Sequence, residues 1–82
     1  MEMEHRIELL EVQKEEVDEE IKTIDVTIQR LKQIADELSP IREATMEVKR
    51  FISNLENKKE WNEEQKEQIE HDIEYVRGIE DR

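Results

Sequence analysis

IADELSPIREAT, residues 34–45, lies at the midpoint of an 82-residue chain and contains its only proline. Whether this stretch kinks one long helix or turns the chain back on itself decides the fold. Ser39 has the chemistry of a helix N-cap, and Pro40 that of a first helical residue. A residue that precedes proline avoids helical geometry, which ends a first helix near Leu38. Glu43 falls one residue beyond the capping-box position, so the start signal is incomplete.

Both arms outward from this stretch carry a heptad seam. Spacings of three and four from Met3 give Ile7, Leu10, Lys14, Val17, Ile21, Ile24, Ile28, Leu31, Ala35 and Leu38; ten of these eleven positions are apolar. So long a run reads as coiled coil rather than disorder. After the proline the same spacing gives Ile41, Thr45, Val48, Ile52, Leu55, Lys59, Asn62, Lys66, Ile69, Ile73, Val76 and Glu80. This seam holds at both ends and turns polar at Lys59, Asn62 and Lys66.

The expected fold is therefore all-α. It is an antiparallel coiled-coil hairpin with helices over about 2–38 and 41–79 and a turn at Ser39-Pro40, forming one domain over 1–82. The seam resembles those of coiled-coil hairpins in general, and no motif ties it to one family. The alternative is three helices, with a second break near 57–62, where Asn62 offers an N-cap and Gln65 a capping-box partner.

Counting equal steps from the proline, residues whose numbers sum to about 79 are expected to face each other. Lys58 and Lys59 then oppose Glu19 and Glu20, Arg6 opposes Asp72, and Lys32 opposes Glu47. One edge is acid against acid, at Asp25/Glu56, Asp18/Glu63 and Glu11/Glu70, with Lys32 against Lys49. Lys14 and Lys66 share a layer, as a device against wrong registers or as a sign of a different register.

Composition narrows the function. Net charge is −11, from 24 acids and 13 bases, which excludes nucleic acid or an anionic membrane as an electrostatic partner. Without cysteine there is no disulfide framework and no thiolate chemistry. No secretory or membrane-spanning segment is read, so the expected location is cytoplasmic.

Val26, Ile34, Met46 and Phe51 are apolar residues outside the seam, and a lone hairpin would expose them. Together with Trp61, the only tryptophan, they are the expected protein-interface residues. They predict a homodimer forming a four-helix bundle or a higher homo-oligomer, or docking on a partner with a helical or basic surface. Trp61 is expected either at that contact or packed over the polar gap in the second seam.

His5 and His71 are the only histidines and the only metal candidates, with Glu2-x-x-His5 carrying the spacing of di-iron bundles. Two solvated surface histidines are the plainer expectation. EEVDEE, residues 15–20, has no glycine-bearing calcium loop and reads as a solvated helix face. No nucleophile–base pair or phosphate loop is found, so no enzyme and no cofactor are expected. The expected function is non-enzymatic: an acidic coiled-coil interaction or scaffold protein. The alternatives are an acidic decoy that covers a basic protein surface, and a metal-binding bundle.

Overall fold

The computed structural model describes residues 2–80, with side chains from Glu4 to Ile79. The described residues form two helices: α1, Glu2–Glu37, and α2, Arg42–Glu80. They pack against each other as a helical hairpin 63 Å long. The outermost seam positions, Met3 and Glu80, and the side chain of Glu2 lie outside the described side chains.

The turn holds Ser39 and Pro40 as expected, but the start of α2 is capped differently. Leu38 N–H still bonds the Ile34 carbonyl at 2.8 Å, and Ile41 N–H then bonds the Leu38 carbonyl at 2.7 Å, closing a four-residue turn. The first intrahelical bond of α2 runs from Thr45 N–H to the Ile41 carbonyl. Ile41 is therefore the N-cap, and both Ser39 and Pro40 stay in the turn. The Thr45 hydroxyl supplies the reason. It lies 2.6 Å from the Leu38 carbonyl oxygen and 2.9 Å from that of Ile41, tying the end of α1 to the start of α2. A polar residue in the seam is thus used as a staple across the bend. Ile41 itself is exposed, although the spacing placed it in the seam.

Isoleucine is among the poorest N-caps because it offers the free N–H groups of the first turn no acceptor. Ile41→Ser is expected to stabilise the hairpin by about 0.5–1 kcal/mol, read as a higher midpoint of thermal melting at 222 nm.

No break occurs near 57–62; α2 runs unbroken through Asn62. Rather than capping a third helix, Asn62 is buried in the seam, only 2% exposed. The lysines on either side of it reach across to α1. Lys59 Nζ lies 2.6 Å from Asp25, and Lys66 Nζ lies 2.7 Å from Asp18. Their alkyl stems cover the seam while their charges are paired at its edge. The polar gap is closed, and the helix has no reason to end.

These ion pairs also fix the register. Lys14/Glu70, Asp18/Lys66 and Asp25/Lys59 all have numbers that sum to 84, and the Thr45–Leu38 bond gives 83. The helices are therefore displaced by about one turn from the register counted from the proline. The physical reason lies in the spacing. Alternating steps of three and four run in opposite directions along antiparallel helices. Sums of 76, 83 and 90 set the seam residues of one helix level with seam residues of the other, 79 does not, and the ion pairs select 83. Ile28 then stands level with Leu55, Leu31 with Ile52, and Ile21 with Asn62.

Burial follows this layering. Ile24, Ile28 and Ile52 form the core cluster, with Leu31, Val48 and Leu55 packed on it. Ala35 seals the turn end, and Ile73 and Val76 are buried near the open end. The core is one side chain thick along its whole length, and its middle third is held by lysines and Asn62.

Candidate functional site

The shifted register sorts the surface into unlike sides. Labelling the seam a and d, the e positions of both helices meet along one edge. All four interhelical ion pairs of the described residues lie there. To the three already named it adds Arg77 Nη2–Glu11 at 2.8 Å. The expected acid-against-acid edge is thereby corrected. Asp25, Asp18 and Glu11 each hold a base, because the one-turn shift brings Lys59, Lys66 and Arg77 opposite them.

Lys14 and Lys66 do not share a layer either. Lys14 and Asp18 are one turn apart on α1, Lys66 and Glu70 one turn apart on α2, and each base meets the opposite helix's acid. Sliding α2 by one turn in one direction sets Lys14 against Lys66. Sliding it the other way sets Asp18 against Glu70. The square of charges penalises both slips.

The hydrogen bond from Lys66 holds the Asp18 carboxyl below the usual carboxylate range, against a smaller opposing effect of desolvation. Lys66 and Lys59 are raised in turn, first by their hydrogen bonds to Asp18 and Asp25. The sign is that of a depressed acid. The contribution of the Asp18 bridge is fully present above the unfolded carboxylate pKa of about 4 and is lost as pH falls through the lower folded value. Asp18→Asn is therefore expected to lower the melting midpoint at pH 7. The gap between the variant and the natural chain should narrow as pH is lowered from 7 towards 2, and a gap that did not narrow would disconnect the effect from ionisation.

The opposite edge, formed by the g positions and widened by the c positions, is different in kind. Among the described residues no ion pair crosses it. It carries Ile34 on α1 and Phe51, Trp61 and Tyr75 on α2, with Leu9 and Ile79 near the open end, all exposed. Between residues 4 and 79 it has three bases (Arg6, Arg30, Lys58) and five acids (Glu16, Glu20, Glu37, Glu47, Asp72). The b, e and f positions over the same span hold six bases and sixteen acids. Almost all of the chain's negative charge is thus kept off this flank.

Of the five expected interface residues, Ile34, Phe51 and Trp61 lie together on the flank. Val26 is equally exposed, but at an f position on the back of α1. Met46 is exposed at a b position, towards the charged edge. Trp61 does not pack over the polar gap. It is 52% exposed, with Lys58 Nζ 4.3 Å from its ring centroid. Lys58 is thus held over an aromatic face, an arrangement stabilised by the ring quadrupole. Leu9, Tyr75 and Ile79 were missed. Listing every apolar residue by heptad letter in the antiparallel register, rather than by nearness to the bend, finds them.

His5 and His71 are both exposed, at f positions facing away from the seam. Among the described residues, no group of three or more histidine, aspartate, glutamate or cysteine side chains is arranged to hold a metal ion. EEVDEE is partly neutralised where Asp18 meets Lys66 and Glu19 meets Lys22; its other acids are exposed, and Val17 lies half-buried in the seam. Among the described residues no helix is long and apolar enough to cross a membrane. No protein-family model matches the chain, and neither the curated proteins nor the solved structures contain a significant match.

Proposed function

We propose that this chain is a non-enzymatic, acidic coiled-coil interaction protein that works by docking one flank of its hairpin on another helical surface. The observation that carries this reading is the segregation of the surface. Ile34, Phe51 and Trp61 stand exposed on the edge between the helices that no ion pair of the described residues crosses, while the charges are gathered elsewhere. Apolar side chains grouped on a charge-poor face mark an interaction surface more often than scattered ones do. The absence of cysteine suits the reducing environment of the cytoplasm, where we place it.

The decoy reading has less behind it. The edge of unpaired acids that suggested it is filled by lysine and arginine, and what is left is the general acidity of the outer faces. A decoy would bind a basic partner with an affinity that falls steeply with salt. Docking through the flank should change little between 0.1 and 0.5 M salt.

A photo-crosslinking residue at position 51, and in a separate variant at position 12 on the back of α1, tests the proposal in the cells that make this protein. Adducts to a protein, whether this chain or another, from position 51 and not from position 12 are expected. Equal labelling from both positions, or none from 51, would contradict it.

A further inference from the structure

The flank points to its own occupant. Resting on the docking function above, we infer that a second copy of this chain covers it, forming a four-helix bundle with both turns at the same end.

Three observations lead there. The first concerns charge. Two chains of net charge −11 repel on almost every approach. The c/g flank, with five acids and three bases, is the side on which like chains meet at least electrostatic cost. A strongly basic partner would instead be drawn to the b, e and f faces, away from the apolar residues.

The second concerns spacing. Ile34 and Phe51 stand level with each other in the hairpin's register, and so do Leu9 and Tyr75. A two-fold axis along the hairpin lays α1 of one copy on α2 of the other at equal levels. Ile34 then meets the second copy's Phe51, and Leu9 meets the second copy's Tyr75. Trp61, between the two groups, faces the stretch of α1 around Thr23. Every neighbouring pair of helices in the resulting bundle is antiparallel, as in up-and-down bundles. The opposite arrangement, with turns at opposite ends, also stacks apolar on apolar. It brings α1 against α1, however, and sets Glu20 beside its own counterpart near the axis.

The third concerns burial. Within one chain no core side chain among the described residues is below 2% exposed, and the middle of the seam is polar. Isolated hairpins with so thin a core are marginal. Half-exposed Ile34, Phe51, Trp61, Leu9 and Tyr75 offer on the order of 100 Å² each, or about 500 Å² per copy. That is most of what the apolar part of a standard interface, about 800 Å² per partner, requires.

Light scattering after size exclusion on the full chain, across a hundredfold range of concentration, is the test. The expected mass is twice the 10.0 kDa of one chain, with Trp61 fluorescence shifting to shorter wavelength as the dimer forms. Ile34→Glu with Phe51→Glu should give a monomer, while Val12→Glu with Val26→Glu, on the back of α1, should leave the dimer intact.

Because the first variant could also unfold, a second measurement uses the lack of native cysteine. Ile34→Cys mixed with Phe51→Cys should form a disulfide-linked heterodimer, and Ile34→Cys mixed with Leu9→Cys should not. Preferential linkage of the second mixture would overturn the same-end arrangement. A natural chain that stays monomeric at every concentration would overturn self-docking altogether. The docking function would still stand in that case if position 51 crosslinks to a different protein, and would fall with it if position 51 crosslinks to nothing.

Discussion

Ile28→Ala is expected to lower the melting midpoint by roughly 10–20 °C and to leave the chain partly unfolded at 37 °C. Ile28 is 4% exposed and belongs, with Ile24 and Ile52, to the buried apolar cluster of the core. Truncating a buried isoleucine to alanine removes its transfer free energy and leaves a cavity, together about 2–4 kcal/mol. A chain of this size has roughly 4–12 kcal/mol of total stability, and in a domain this small each kcal/mol moves the midpoint by about 4–8 °C. The loss is severe because the core is a single row. No second layer of side chains can relax into the hole. Val26→Ala, on the exposed back of the same helix, should change stability by no more than about 0.5 kcal/mol. If the two variants cost the same, the seam is not where the structure puts it.

Asn62→Leu should do the reverse. Asn62 is 2% exposed, and its Nδ2 finds no acceptor among the described residues. A buried amide donor without a partner costs about 1–3 kcal/mol. Leucine at the same seam position stands level with Ile21 and packs there without that penalty. The expected gain is about 1–3 kcal/mol, seen as a rise of roughly 5–20 °C in the melting midpoint. A fall on substitution would mean that the amide is satisfied by a group outside the chain. The substitution also separates two roles. A seam asparagine commonly fixes register at the expense of stability. Here the square of Lys14, Asp18, Lys66 and Glu70 already penalises slips of one turn. The Asn62→Leu protein should therefore keep the same register while melting higher.

The hairpin itself was legible from the sequence. Ten of eleven seam positions and a lone central proline state it through spacing alone, because periodicity needs no knowledge of what lies across. The register was not read correctly, although the residues for it are present. Counting equal distances from Pro40 treats the bend as a hinge of no thickness. The turn in fact occupies Leu38 to Ile41, and opposed three–four steps align at sums of 76 and 83 but not at 79. Lys14, Asp18, Lys66 and Glu70 carry that information as a pattern of charge, visible once two helices are laid antiparallel.

The start of α2 was misread for a different reason. A Ser-Pro pair satisfies the chemistry of a turn as well as that of a cap. The choice was made by the Thr45 hydroxyl, a contact of a later residue back to Leu38. Apolar residues outside a seam are visible in sequence, and of the expected interface residues Ile34, Phe51 and Trp61 share the flank on which the proposed docking rests. Which side of each helix they occupy depends on the register, which sets Val26 and Met46 on other faces than the flank.

Zero-length carbodiimide coupling of the natural chain, followed by mass spectrometry of its peptides, reads the register without any substitution. Such coupling joins lysine to a carboxylate only where the two already touch. Isotope-labelled and unlabelled chains mixed beforehand separate links within a chain from links between chains. The structure predicts links within one chain from Lys66 to Asp18, from Lys59 to Asp25 and from Lys14 to Glu70. Links from Lys59 to Glu19 or Glu20 and from Lys32 to Glu47 would mark a register one turn away. They would remove the basis for the charged edge, the apolar flank and the docking assigned to it.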